Sequence, residues 1–341
     1  MPRPFVSSAF GFSGLEEGID MKRILKLGRG LMASVAFVLS ILAGSVSIAQ
    51  QPANDAQITE VRSALRSDNY QNALKKVSDI LAKNPTNVTS WCLKGEVHAH
   101  LNEASAALES FDKAIQANKT SICAVVGKAK ALGMLKKEDE SLGLLRQAVS
   151  MTPSSSTDFL SRGAAFSGLT QYDKALADYD EALKLDPSFA EVHLNKGMIF
   201  WRKGDFANAI PLFTAAIKLD PNYVEALTNR GAAYSKKGDI ESASADYSKA
   251  IQVNSNDATT FYNRGVVYLK QRLSEKAIAD FSSALRLQPI YPEANVNRAV
   301  AYTIINKMAE AKKDFEEAVE QDPSGAAGQN GLRGLEMLKN Y

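Results

Sequence analysis

A spacing of 34 residues, held from position 54 to position 325 without insertion or deletion, limits the folds open to this chain more than any other feature. The segment 190–223 shows it most clearly, with Gly197, Phe200, Ala209, Phe213, Ala216 and Pro221 at its positions 8, 11, 20, 24, 27 and 32. One period later stand Gly231, Tyr234, Ala243, Tyr247 and Ala250, with Ser255 in place of the proline. The next gives Gly265, Tyr268, Ala277, Phe281, Ala284 and Pro289, and the last Ala299, Tyr302, Ala311, Phe315, Ala318 and Pro323. One period earlier, Gly163, Phe166, Ala175, Tyr179, Ala182 and Pro187 match at every position. The windows 122–155, 88–121 and 54–87 match in part, the first of these three through Ala129, Leu132, Ala148 and Pro153. The weakest, 54–87, keeps Tyr70, Ala73 and Pro85. A fixed period of this length marks a stack of like units rather than one globular core.

The residue types at those positions explain the period. Apolar residues three and four apart make each unit two amphipathic helices, about positions 1–14 and 17–31. Small residues at 8, 20 and 27 let paired helices approach, and the aromatics at 11 and 24 fill the space beside them. Lys203-Gly204-Asp205 and Lys237-Gly238-Asp239 supply a permissive glycine and an aspartate able to cap the second helix. Proline at 32 ends the unit, because it lacks a backbone donor and restricts the residue before it. One such hairpin cannot bury its apolar face alone, so neighbours stack.

This pattern resembles the tetratricopeptide repeat, over eight units (54–87, 88–121, 122–155, 156–189, 190–223, 224–257, 258–291 and 292–325). The resemblance implies an all-α, right-handed superhelical solenoid whose concave groove is lined by the first helices and holds peptides or folded partners. It also implies a capping helix over 326–341, which the glycines in that segment would shorten or fray.

The N-terminus reads separately. From Met21, the basic residues Lys22, Arg23, Lys26 and Arg29 precede an apolar stretch over 31–44, and Ser47 and Ala49 offer the small residues of a cleavage site. That layout is a secretory signal peptide over 21–49, and it places the mature chain in the periplasm or outside the cell. Glu16, Glu17 and Asp20 do not suit such a leader, so residues 1–20 are read as an N-terminal extension upstream of the true start. Cleavage after Ala49 removes Arg3 and the four basic leader residues against three acidic ones, which takes the formal charge from +2 to zero. A basic nucleic-acid-binding surface therefore gains nothing from composition.

Several recurrent positions are not scaffold. Arg162, Arg230, Arg264 and Arg298 at position 7 recur with Asp178, Asp246, Asp280 and Asp314 at position 23, which suits ion pairs that fix the stacking. Position 6 carries Asn195, Asn229, Asn263 and Asn297, and both a structural and a ligand-gripping role stay open for them. The groove positions that the resemblance implies, 2, 5, 9, 12 and 13, bring Glu191, Trp201, Arg202, Lys236, Tyr262 and Lys270 to one face in the central units. A partner with apolar side chains and an acidic group would find both counterparts there. Glu191, Glu225 and Glu293 stand at position 2, where family members that clamp a terminal carboxylate carry a base, and this departure argues against a chaperone-tail receptor.

Cys92 and Cys123, the only two cysteines, fall on neighbouring first helices, offset by about 4.5 Å along the axis. A disulfide needs Cα atoms within about 7 Å while packed helices stand about 8–10 Å apart, so bridge and free thiols both stay open. His98, His100 and His193 form no metal trio, and no phosphate loop, nucleophile elbow or Cys-x-x-Cys is present. The expectation is a non-enzymatic scaffold without cofactor, binding protein or peptide partners, with peripheral envelope association and no nucleic acid. The alternative is a cell-wall or glycan-associated accessory protein that presents a Trp201–Tyr262 aromatic platform to carbohydrate.

Overall fold

A computed structural model describes residues 55–339, so the expected leader and N-terminal extension lie outside the described residues. All regular structure among these residues is helical. The first helix, α1, covers 55–66. There follow α2 (Tyr70–Lys83), α3 (Val88–His100), α4 (Ala104–Ala117), α5 (Ile122–Met134), α6 (Glu138–Ser150), α7 (Ser156–Gly168) and α8 (Tyr172–Leu185). The chain continues through α9 (Ala190–Arg202), α10 (Phe206–Leu219), α11 (Val224–Lys237), α12 (Ile240–Val253), α13 (Ala258–Lys270) and α14 (Ser274–Leu287). It ends in α15 (Pro292–Ile304), α16 (Met308–Gln321) and α17 (Ala326–Leu338). Odd and even helices pair as antiparallel hairpins, and each hairpin packs on the next, which makes an all-α solenoid.

Inside a hairpin the periodic residues lock together. Phe213 is fully buried and lies against Gly197, where an added Cβ would sit 2.6 Å from the ring. No larger residue fits without moving α9 away from α10, so the glycine and the aromatic sixteen residues later form one packing unit.

The turn between paired helices demands more than its two glycines suggest. Position 15 adopts a positive φ in every hairpin, at Asp68, Asn102, Lys136, Thr170, Gly204, Gly238, Arg272 and Asn306. The following residue donates its N–H back to the first helix, as Gln171 does to the Phe166 carbonyl at 2.9 Å, which closes the helix end. Six of these residues have side chains and bear the steric cost of the left-handed conformation, about 1–2 kcal/mol each. Thr170 (φ 59°) is β-branched and suits it least. Thr170→Gly is expected to raise stability by about 0.5–1 kcal/mol after the entropy of a freer unfolded chain is subtracted, measured by urea denaturation.

The Arg–Asp ladder staples three helices at each step. Arg264 donates Nε and Nη2 to the two carboxylate oxygens of Asp280, both at 2.8 Å, and Nη1 to Ser248 Oγ of the preceding hairpin at 3.1 Å. Arg230 with Asp246 and Thr214, and Arg298 with Asp314 and Ser282, repeat the geometry. Where position 7 is lysine, Lys128 and Lys196 pair instead with Asp112 and Asp180 of the preceding hairpin.

At the C-terminal end α17 is a full helix despite its glycines. Gly331 and Gly334 are buried against α16, and a Cβ on Gly334 would meet the Phe315 ring at 2.4 Å. Close packing retains these glycines, and the contact offsets the low helix propensity that suggested fraying. No helix among the described residues is long and apolar enough to cross a membrane.

Candidate functional site

The inner face of the solenoid meets itself. Arg62 and Arg66, at positions 9 and 13 of the first hairpin, reach across to the hairpin α9–α10 and the turn that follows it. Arg66 donates Nε to Asp220 at 2.8 Å and places Nη1 3.3 Å from Glu191. Arg62 places Nη1 3.5 Å from Glu191. The guanidinium of Arg62 lies 5.0 Å from the Phe189 ring centroid, and that of Arg66 lies 6.0 Å from Tyr223. Beyond them Asn254 Nδ2 donates to Asp68 at 3.1 Å. Asp220 and Asn254 are both already placed by local turns, since each accepts the backbone N–H two residues on. The contact therefore joins preformed acceptors to two arginines whose stems pack on aromatic faces.

Behind this contact lies a charged lumen. A cavity of about 80 Å³ is lined by Leu65, Arg66, Asp68, Leu93, Glu96, His100, Glu191, Tyr223 and Glu225. Glu96, His100 and Glu225 keep exposed surface in this narrow lumen, where the surrounding protein displaces part of their hydration. Loss of hydration raises the carboxyl pKa of both, and of Asp68, against the lowering influence of Lys130 on the two glutamates. The same desolvation, with Lys130 nearby, lowers the pKa of His100 to about 4, where its ring stacks on Tyr70 at 5.2 Å.

The signs oppose each other. The acids favour the folded state at low pH and lose that contribution as pH rises through their raised pKa values. His100 contributes fully above its ordinary pKa near 6.5 and loses that contribution as pH falls toward about 4. His100→Gln is therefore expected to lose less thermal stability than the parent between pH 6.5 and 4, measured by melting curves across that range. Equal losses in the two proteins would remove His100 from the account.

The sequence-predicted groove residues separate into two groups. Glu191 is engaged by Arg62 and Arg66 and also supports Asn195, whose Nδ2 donates to the Glu191 carbonyl at 2.8 Å. Trp201 packs edge-on against Phe206 at 4.9 Å, and Arg202 reaches Ser167 Oγ at 3.5 Å. Tyr262 lies 5.0 Å from Tyr291 and 5.8 Å from Phe281. Trp201 and Tyr262 thus belong to separate aromatic clusters, with no ring contact between them.

The remaining candidates are less engaged. Lys236 has no ion pair or hydrogen bond among the described residues, and Lys270 makes one long contact to Ser235 Oγ at 3.4 Å. Asn297 donates to Tyr262 Oη at 2.9 Å and to the Glu293 carbonyl at 3.0 Å, whereas Asn229 and Asn263 have no side-chain partner among the described residues. Val300 and Ile304, at positions 9 and 13 of the last hairpin, are 39% and 59% exposed. Sequence reasoning confined to the central units misses these two, although their positions in the period mark them as groove residues. It misses Arg62 and Arg66 for the same reason, since they lie in the most degenerate unit.

Cys92 and Cys123 form a disulfide with a Cα–Cα distance of 6.4 Å. Facing Cα atoms stand about 2.3 Å out from each helix axis, so helices about 8–10 Å apart already bring the two cysteines within bridging reach. Among the described residues no group of three or more His, Cys, Asp or Glu side chains could hold a metal ion.

Comparison with known proteins places this architecture. The family model described as tetratricopeptide repeat matches residues 58–122, 160–224 and 262–326, more than half of the chain. A second model, described as TPR repeat, matches 234–271, and a third tetratricopeptide repeat model matches 212–243. No curated protein sequence matches the chain. Among solved structures, the APC/C hetero-tetramer Cut9-Hcn1 contains a similar chain at 16% identity and TM-score 0.68, over 83% of this chain and 55% of that one. This chain therefore spans little more than half the length of that one. YrrB, titled a TPR protein with an unusual peptide-binding site, is 20% identical with TM-score 0.44, over 67% of this chain and 99% of its own. The C-terminal part of a TPR repeat-containing protein from Cytophaga hutchinsonii is 18% identical with TM-score 0.48, over 70% and 98%. With the family models covering most of its hairpins, the chain belongs to the tetratricopeptide repeat family.

Proposed function

We propose that this chain is a non-enzymatic, extracytoplasmic scaffold that holds a protein or peptide partner in the C-terminal half of its groove. The observation that carries the reading is the exposure of Val300 and Ile304 on the groove positions of α15, in the same half as Lys236, Lys270 and the unpartnered amides of Asn229 and Asn263. Apolar side chains left open beside cations and free amides offer a partner both burial and hydrogen bonds. The N-terminal half is committed to its own contact through Glu191. The leader pattern over 21–49 and the Cys92–Cys123 disulfide support an oxidising, exported setting, periplasmic or secreted, with peripheral envelope association. No observation favours the glycan reading, and the mature chain's balanced charge gives nucleic acid no evident attraction.

The test is affinity capture from the exported fraction with the parent protein and with a Tyr262→Ala, Lys270→Glu, Ile304→Asp variant. The expected result is a partner lost by the variant and retained by a Trp201→Ala control. An identical partner set would overturn the groove assignment. Residue-level sequencing of the exported chain is expected to begin at Gln50, and a chain retaining residues 21–49 would overturn the exported, cleaved form.

A further inference from the structure

The two arginines that close the inner face reveal a recurrent receptor for cations. Arg62 lies over Phe189 beside Glu191, and these acceptor residues occupy position 34 of one repeat and position 2 of the next. One period later the pair is Tyr223 and Glu225, with Arg66 over Tyr223 and its charge met by Asp220 and Glu191. The aromatic-x-Glu pattern occurs at a third repeat boundary, Tyr291 and Glu293, and at no other, since position 34 is elsewhere Asn87, Ser121, Ser155, Asp257 or Gly325.

We propose that Tyr262, Tyr291 and Glu293 form a cradle for an arginine or lysine side chain of a basic segment in a protein partner. The two phenol rings meet at an angle of 32°, and Asn297 fixes one of them through its hydroxyl. Glu293 sits close enough to raise the pKa of both phenols, after the larger influence of desolvation. No cation among the described residues lies over either ring or pairs with Glu293. Both ingredients that receive Arg62, an aromatic face and a carboxylate two residues on, are therefore present, with both rings part-exposed and Glu293 exposed. A guanidinium is favoured over an ammonium, because its plane stacks on the ring while its edge meets the carboxylate. The basic column at Lys236 and Lys270 lies at the opposite ends of the first helices, so a partner would lay basic residues along one edge and acidic residues along the other.

This rests on the groove reading above, and the test separates the two. Full-length protein is titrated with an alanine-based peptide carrying arginines four residues apart, the spacing of Arg62 and Arg66, and with its glutamate counterpart. Tyrosine-ring NMR signals and fluorescence anisotropy report binding. The arginine peptide is expected to shift the Tyr262 and Tyr291 rings and to bind about tenfold more weakly to Glu293→Gln, but unchanged to a Glu310→Gln control. Absent binding, or binding that ignores both Glu293→Gln and Tyr291→Leu, would overturn the cradle. If the arginine peptide fails in either way while the glutamate peptide binds through Lys236, the groove reading stands and the cradle falls. Failure of both peptides, with no partner lost in the capture experiment, would remove the groove reading as well.

Discussion

Asp280→Ala is expected to destabilise the α13–α14 region by about 3 kcal/mol, seen as a separate early transition in urea denaturation followed by circular dichroism. Asp280 is 5% exposed and accepts two hydrogen bonds from Arg264, whose third donor holds Ser248 of the preceding hairpin. Removing the carboxylate leaves a largely buried guanidinium without its counter-charge and loosens two hairpins together. The helices α13 and α14 pack mainly on each other and on the hairpins before and after them, so the damage stays local and the remaining helices melt later. Glu310 is exposed on α16 and makes no ion pair or hydrogen bond among the described residues, so Glu310→Ala is expected to change stability by less than about 0.5 kcal/mol. A uniform, small shift for Asp280→Ala would mean that the ladder only decorates the stack.

The second large effect is expected from Arg66→Glu. It places a third carboxylate against Glu191 and Asp220, in a contact where all three side chains are less than a fifth exposed. Loss of the attraction and the new repulsion together are expected to cost about 2–4 kcal/mol at that contact. Helical content should stay at the parent level, because every hairpin keeps its own packing, while the radius of gyration rises as the inner faces part. Adding Glu191→Lys and Asp220→Lys to the variant should restore the compact form. A radius of gyration unchanged by Arg66→Glu would show that other contacts carry the closure.

The hairpins were legible in the sequence because their physics is local and repeated. Gly197 against Phe213, or Arg264 against Asp280, recurs at a fixed offset, so each copy reinforces the reading of the others. The left-handed position 15 was visible only where it is glycine, at Gly204 and Gly238. Thr170 or Arg272 gives no local warning, because the helix-ending hydrogen bonds impose the conformation on whatever residue stands there. The fate of Glu191 was illegible for a different reason. Its partners Arg62 and Arg66 lie 129 and 125 residues away, and whether the inner faces meet depends on small rotations accumulated over several hairpins. The Cys92–Cys123 bridge stayed open because the spacing of about 8–10 Å is measured between helix axes, whereas the facing Cα atoms stand closer, here 6.4 Å apart. Lys236 and Lys270 were read as groove residues on their positions alone, whereas Val300 and Ile304 drew no notice as ordinary apolar residues in a helix.

Closure of the inner face is the feature that divides this groove into a committed half and an open half. Zero-length carbodiimide coupling tests it most directly, because it joins only an amine and a carboxylate already in contact. Arg66→Lys supplies the amine, and the native pairs Lys128–Asp112 and Lys196–Asp180 serve as internal standards on the same molecule. The account predicts peptides linking position 66 to Asp220 or Glu191 in yields similar to those standards. Coupling of both standards, with position 66 joined to neither carboxylate, would contradict it.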